Sequence, residues 1–321
     1  MQKMERNLAN RLFLAITIIY YLLIIGLNVL NMYVDLGMNM AMNIMANESL
    51  IVAPAIVTMF IWFIKSEYRE TVDETFVRES MFDRLMFRRI KWSTLLMTIL
   101  FVILISPLAT LANAISLLFV ENEVVESSVD VVGLPFGVML FLIAIMGPIF
   151  EEIAFRGVIF GGYRKSCSLL AAVLTSALTF GLMHMNFNQM SYALVLGIAF
   201  ALINEASGSI WCSIICHILI NAKTTVALYI TDSDMLELAQ TDDYLSNNEM
   251  FVMIAIYAIV AVITTTLAVC ALTWIAHNEG RQNPMIRLIH PGKERGLGVW
   301  TPSLIIAIVL SLTFMICELL V

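Results

Sequence analysis

Charged side chains are scarce in this chain. Asp, Glu, Lys and Arg make up 13% of its 321 residues, whereas 60% are hydrophobic. A soluble domain carries roughly 25% charged residues, so this composition excludes a water-soluble globule. There are only 4 histidines and 5 cysteines. Cys167, Cys212, Cys216, Cys270 and Cys317 form no C-x-x-C pair and imply no disulfide framework. They lie in or beside apolar segments and read as small buried hydrophobes, including Cys212 and Cys216 beside His217. No phosphate-binding glycine loop, internal repeat or low-complexity tract is present. The basic residues are spread over separate loops, which leaves no footprint for nucleic acid.

The apolar residues come in long blocks. About 20 of them span a bilayer as a helix, and a helix satisfies its own backbone where lipid cannot. Nine candidate spans follow, at roughly 12–30, 49–65, 92–120, 131–163, 168–184, 190–204, 209–231, 250–276 and 302–320. The fourth is too long for one straight span and contains Gly147-Pro148, where proline is expected to kink the helix. The fifth and sixth are short and are expected to form a tight hairpin. The fold class is therefore all-α, a polytopic bundle of about eight to nine transmembrane helices. Three regions organise it: N-terminal helices over 1–130, a core over 131–231 and C-terminal helices over 232–321.

With a cytoplasmic N-terminus, all 18 basic residues except Arg156 and Lys223 fall on the cytoplasmic side. The loops 31–48, 121–130 and 232–249, assigned outside, are acidic or neutral. This is the positive-inside pattern, and it places the C-terminus outside. The first apolar run is long and lacks an A-x-A site, so it reads as an uncleaved helix. Segment 66–91 mixes charges of both signs with Phe76, Met81, Phe82, Leu85 and Phe87. It reads as an amphipathic helix at the interface or as a solvated linker helix. The topology and the abundance of Ile, Asn and Met point to a bacterial cell membrane.

Ionisable residues inside membrane spans are costly and mark function by default. Here they are Glu151, Glu152, Arg156, His184, His217 and Lys223, with Asn221 as a polar companion. Glu152 and Arg156 are four apart and share a helix face, so they read as an ion pair. Glu151 points about 100° away and lacks that partner, which makes it the candidate general base. His217 and Asn221 also share a face. Counting inward at ~1.5 Å per residue, Glu151, His184, His217 and Asn221 reach overlapping depths within the membrane, with His184 as the expected partner of Glu151.

Glu151-Glu152-x-x-x-Arg156, Phe180-x-x-x-His184 and His217-x-x-x-Asn221, in that order on separate apolar segments, resemble the CPBP family of CAAX proteases and bacteriocin-processing membrane proteins. The resemblance covers about residues 131–225. It implies a helical bundle around an intramembrane cavity and an intramembrane endopeptidase. Glu151 and His184 would activate a water, His217 and Asn221 would stabilise the oxyanion, and Glu152 with Arg156 would orient the site. The implied substrate is a hydrophobic or membrane-associated peptide. Glu151, His184 and His217 could hold zinc with an open water position. However, H-E-x-x-H is absent and no single helix supplies two ligands, so the residues lean towards a metal-free water. The competing class is a non-enzymatic membrane protein, either a proton-coupled transporter or a peptide-binding immunity or scaffold protein. One broken helix and no repeat speak against a transporter.

Overall fold

In a computed structural model, residues 1–31, 33, 40–72, 77, 79–231, 247–289 and 297–320 are described. The elements are α1 (Gln2–Asn31), α2 (Met40–Val72), α3 (Met81–Arg84), α4 (Trp92–Ser116), α5 (Glu123–Glu126), α6 (Ser128–Val132), α7 (Phe136–Ser166), α8 (Leu169–Leu182), α9 (Phe187–Ser207), α10 (Ile210–Ile230), α11 (Asn247–Asn278), α12 (Pro284–Ile289) and α13 (Pro302–Glu318). The described residues contain no strand. Seven helices are long and apolar enough to cross a membrane. Two of the nine expected spans are shorter: α8 has 14 residues and α13 has 17.

At Gly147-Pro148, where a kink is expected, the helix changes its hydrogen-bonding pattern. Helix α7 runs without a break, but an α-helical stretch Gly147–Glu152 lies between two π-helical stretches, Leu140–Met146 and Ile153–Phe160. A π turn widens the hydrogen-bonded ring, and such turns gather at functional sites. The consequence is local: the paired glutamates lie on the one α-helical turn of the mid-span.

Helices α8 and α9 form the expected hairpin and pack closely. A methyl on Gly197 would lie 2.8 Å from the Ala177 Cα. Between helices in lipid, such small residues allow the backbones to approach. Helix α8 is about 21 Å long, short of the ~30 Å hydrocarbon core, so it ends inside the bundle. The chain turns there through Met185, buried with a left-handed φ of 58°. Irregular backbone at this depth is tolerated only where protein covers it. Asn186 supplies the cover: its side-chain amide donates to the His184 carbonyl at 3.3 Å, and its oxygen accepts from the Gln189 N–H at 2.7 Å.

Segment 66–91 departs from both expectations. Residues up to Val72 continue α2, and only one helical turn, Met81–Arg84, follows among the described residues. Arg84 is buried, pairs with Glu5 and stacks 4.3 Å from the Trp62 ring centroid. Its charge partner is on α1, which no local pattern reveals. Phe76 and Arg78 lie outside the described residues, as do Lys293, Arg295 and, of the outside loops, residues 32, 34–39 and 232–246. Three of the five cysteines, Cys167, Cys212 and Cys216, are buried, whereas Cys270 and Cys317 are exposed, and all are free thiols.

Gly197→Val is expected to force α8 and α9 apart and to lower the unfolding midpoint in detergent by several degrees, the scale of an overpacking cost of about 1–3 kcal/mol. Gly26→Val, at a position with nothing within 4 Å, should leave the midpoint unchanged. Equal midpoints for the two variants would rule out the close contact.

Candidate active site

The site is assembled from five helices around the α-helical turn of α7. Glu152 and Arg156 are both fully buried, and Arg156 Nη1 lies 3.2 Å from Glu152 Oε1. The sequence-predicted pair is therefore present. Arg156 has no hydrogen-bonded nitrogen. Its guanidinium carbon instead lies 4.0 Å from the Phe180 ring centroid and 5.2 Å from that of Phe200. Two aromatic faces supply the cation with electrostatic contact where water would otherwise be needed.

The same Glu152 oxygen meets His217 Nδ1 at 3.1 Å. The other ring nitrogen, Nε2, lies 3.9 Å from Glu151 Oε2. His217 thus stands between the two glutamates, with its imidazole against Phe180 and Phe200 at 5.7 and 5.3 Å between centroids. A carboxylate on Nδ1 sets the tautomer and directs Nε2 at whatever lies beyond. Here that is Glu151, whose Oε2 is buried without a hydrogen-bond partner.

His184 lies at the buried end of α8. Its Nδ1 faces the Phe180 carbonyl at 3.0 Å, and its ring stands edge-on to Phe180, 5.2 Å between centroids. No hydrogen bond joins it to Glu151. The expected Glu151–His184 pairing is therefore not a direct contact, and the histidine beside Glu151 is His217. Depth counting could not separate the two, because it gives height along a helix and not azimuth. Asn221, one turn beyond His217, donates from Nδ2 to the Ile143 carbonyl at 3.0 Å. Ile143 belongs to the first π stretch, so Asn221 fills a backbone acceptor that the widened turn leaves open. Lys223 is exposed and takes no part.

A third acid enters from α2. Glu48 is buried, and a methyl on Gly147 would lie 3.0 Å from its Oε1. Gly147 precedes Glu151 by one turn, so Glu48 lies along the Glu151 face in a space left by glycine. Its Oε2 has no hydrogen-bond partner. The sequence reading placed Glu48 in an outside loop, next to a span starting at 49. The helix starts at Met40, which carries Glu48 inside. An acid at the edge of an apolar run was the available signal.

No three His, Cys, Asp or Glu side chains are grouped as metal donors among the described residues. In particular, Glu151, His184 and His217 are not grouped as such a set among the described residues. The arrangement does not fit the zinc site considered from the sequence.

Residues 133–223 match the family model described as "Type II CAAX prenyl endopeptidase Rce1-like". Over these residues the chain is similar to CAAX-type endopeptidases, in line with the CPBP resemblance of its three motifs. The chain is also 30% identical over 107 residues to "Putative membrane peptidase YdiL" of Bacillus subtilis (strain 168), covering 33% of this chain and 43% of that relative. The chain thus spans less than half the length of the curated relative it matches. No solved structure matches. The matched core runs from the start of α7 into α10 and holds every residue described above except Glu48.

Arg156→Ala should destabilise the protein by about 3–5 kcal/mol, because it leaves the Glu152 charge buried without its partner. The double change Glu152→Leu with Arg156→Met should regain most of that loss. Unfolding in detergent measures both. A double variant no more stable than Arg156→Ala would refute the pairing.

Proposed function

We propose that this protein is an intramembrane endopeptidase that hydrolyses a peptide bond of a hydrophobic or membrane-associated peptide with a glutamate-activated water. The observation that carries this is Glu151: a carboxyl inside a membrane-crossing helix with no paired cation, facing an imidazole that Glu152 and Arg156 hold from behind. The match of residues 133–223 to a CAAX-type endopeptidase family supports the reading.

In this mechanism Glu151 takes the proton of a water as its oxygen attacks the carbonyl carbon of the scissile amide. The same carboxyl then delivers that proton to the leaving amine. His184 turns Nδ1 inward and leaves Nε2 to orient the water. His217 carries a proton on Nδ1, towards Glu152. With a second proton held on Nε2 from the start of the cycle and kept throughout, the imidazolium is a donor for the tetrahedral oxyanion, with the second Nδ2 proton of Asn221 beside it. Preorganised donors in a water-poor site are worth far more than in solution. The non-enzymatic alternative, a proton relay through Glu48 and Glu151 without peptide cleavage, uses the same carboxyls but no oxyanion site.

An apolar cavity of about 550 Å³ opens between α2 and α7, lined by Val52, Met59, Phe63, Leu85, Phe150 and Ile153 among others. Phe150 and Ile153 flank the glutamate pair in sequence, and Val52 lies one turn beyond Glu48. We assign this cavity to the greasy side of the substrate.

Glu151→Gln is expected to cut turnover by about 10²–10⁴-fold, the usual worth of a positioned acid–base, with little change in the unfolding midpoint. His184→Ala should also fall by at least about 10²-fold. Mass spectrometry of membrane peptides from cells with the wild-type protein or Glu151→Gln identifies the cleaved bond. Unchanged peptide profiles, or cleavage surviving both substitutions, would remove the peptidase reading.

A further inference from the structure

Away from the glutamates, one end of the bundle gathers arginines around a single acid. Glu205, at the end of α9, is buried. Arg287 of α12 bonds to its Oε1, and Arg164 of α7 reaches its Oε2 at 3.1 Å. Arg281 donates from Nε to the Glu205 carbonyl at 3.0 Å, while its Nη2 stays 3.9 Å from Oε1. Three guanidiniums thus meet one carboxylate among the described residues. Arg164 Nε is buried with no hydrogen-bond partner. Burial first, then the nearby Arg164, Arg88 and Arg287, push the Arg281 guanidinium below its usual range against the pull of Glu205.

The cluster is built as well as charged. Gly208 ends α9 with a left-handed φ of 72°, and a methyl there would lie 2.5 Å from Arg281 Nη1. Arg281 lies over the bare backbone that only glycine leaves open. Glu205 tethers all three forks, so their side-chain entropy is lost on folding and not on binding.

Its level in the membrane is also marked. Lys91 N–H bonds to Glu279, Ser209 Oγ to the Arg88 carbonyl at 2.6 Å, and Leu297 N–H to the Ser166 carbonyl at 2.7 Å. These bonds tie the starts of α4, α10 and α13 to the ends of α7 and α11 at the same end of the bundle as Glu205. Exposed tryptophans cluster there: Trp92, Trp211, Trp274 and Trp300. Exposed tryptophans sit at headgroup level in membrane proteins, which is where lipid phosphates lie.

We propose that Arg164, Arg281 and Arg287, pre-arranged on Glu205, bind a phosphate-bearing anion presented by the headgroup of an anionic lipid. The planar arginine fork matches phosphate oxygens two at a time, and among the described residues Arg164 and Arg281 alone bring two guanidiniums to the one Glu205 carboxylate. Basic pockets between membrane helices take anionic headgroups in this way.

The test uses the full chain in nanodiscs of phosphatidylcholine, with or without phosphatidylglycerol, and needs no catalysis. Phosphatidylglycerol should raise the unfolding midpoint, and native mass spectrometry should show it retained over phosphatidylcholine. Arg164→Gln and Arg287→Gln should each weaken that retention about fivefold, the worth of one basic residue near a charged surface. Arg164→Lys, which keeps the charge but loses the fork, should fall in between and covers the case in which a glutamine variant does not fold. Inorganic phosphate added to phosphatidylcholine discs separates the sources: equal stabilisation by free phosphate would overturn the lipid assignment. Equal retention of both lipids by the wild type, or full retention by the variants, would overturn the site itself. A purely structural arginine network predicts the same midpoint loss in both lipids.

Discussion

A buried ion pair governs the interior of this protein. Glu152 and Arg156 have no exposure and pair within one helix. The cost of taking two charges out of water is met by three neighbours. Phe180 and Phe200 cover the guanidinium, and His217 hydrogen-bonds to the carboxylate. A buried pair of this kind adds little net stability against an apolar replacement. What it provides is direction. Because one Glu152 oxygen serves both Arg156 and His217, the imidazole has one orientation, and its far nitrogen faces Glu151.

The backbone around this pair is irregular in two ways, and both help to build the site. The π stretches on either side of Gly147–Glu152 shift the azimuth of the helix, and Asn221 satisfies a carbonyl in the first. The early end of α8 leaves His184 at a helix terminus inside the bundle and not at the membrane surface. Each irregularity would be costly against lipid. Each is enclosed by protein here and lies within reach of the acids.

Much of the architecture was legible in the chain. Each of the nine apolar blocks falls on an apolar helix among the described residues, and seven of these are long enough to cross hydrocarbon at a fixed rise per residue. The Glu152–Arg156 pair was legible for the same reason: residues four apart on a helix touch whatever surrounds them. The α8–α9 hairpin was legible from its short polar connection. The two π stretches that flank Gly147–Glu152 were not legible, since no local pattern in the sequence marks them. Arg84 read as a surface charge of an interfacial segment, yet it is buried on Glu5 of another helix. Glu48 was missed because it lies just before an apolar run and its burial depends on α2 starting earlier.

The sequence by itself determined that this is a membrane-embedded helical protein, and led to the expectation that Glu151, His184, His217 and Asn221 reach overlapping depths. Periodicity and hydropathy are local properties and are read without knowing any neighbour. Only the tertiary structure decided which histidine faces Glu151, that Glu48 joins it from α2, and that three arginines share Glu205. Those contacts depend on the rotation of each helix about its own axis. That rotation is set by packing between helices distant in the chain, such as Gly197 against Ala177 and Gly147 beneath Glu48.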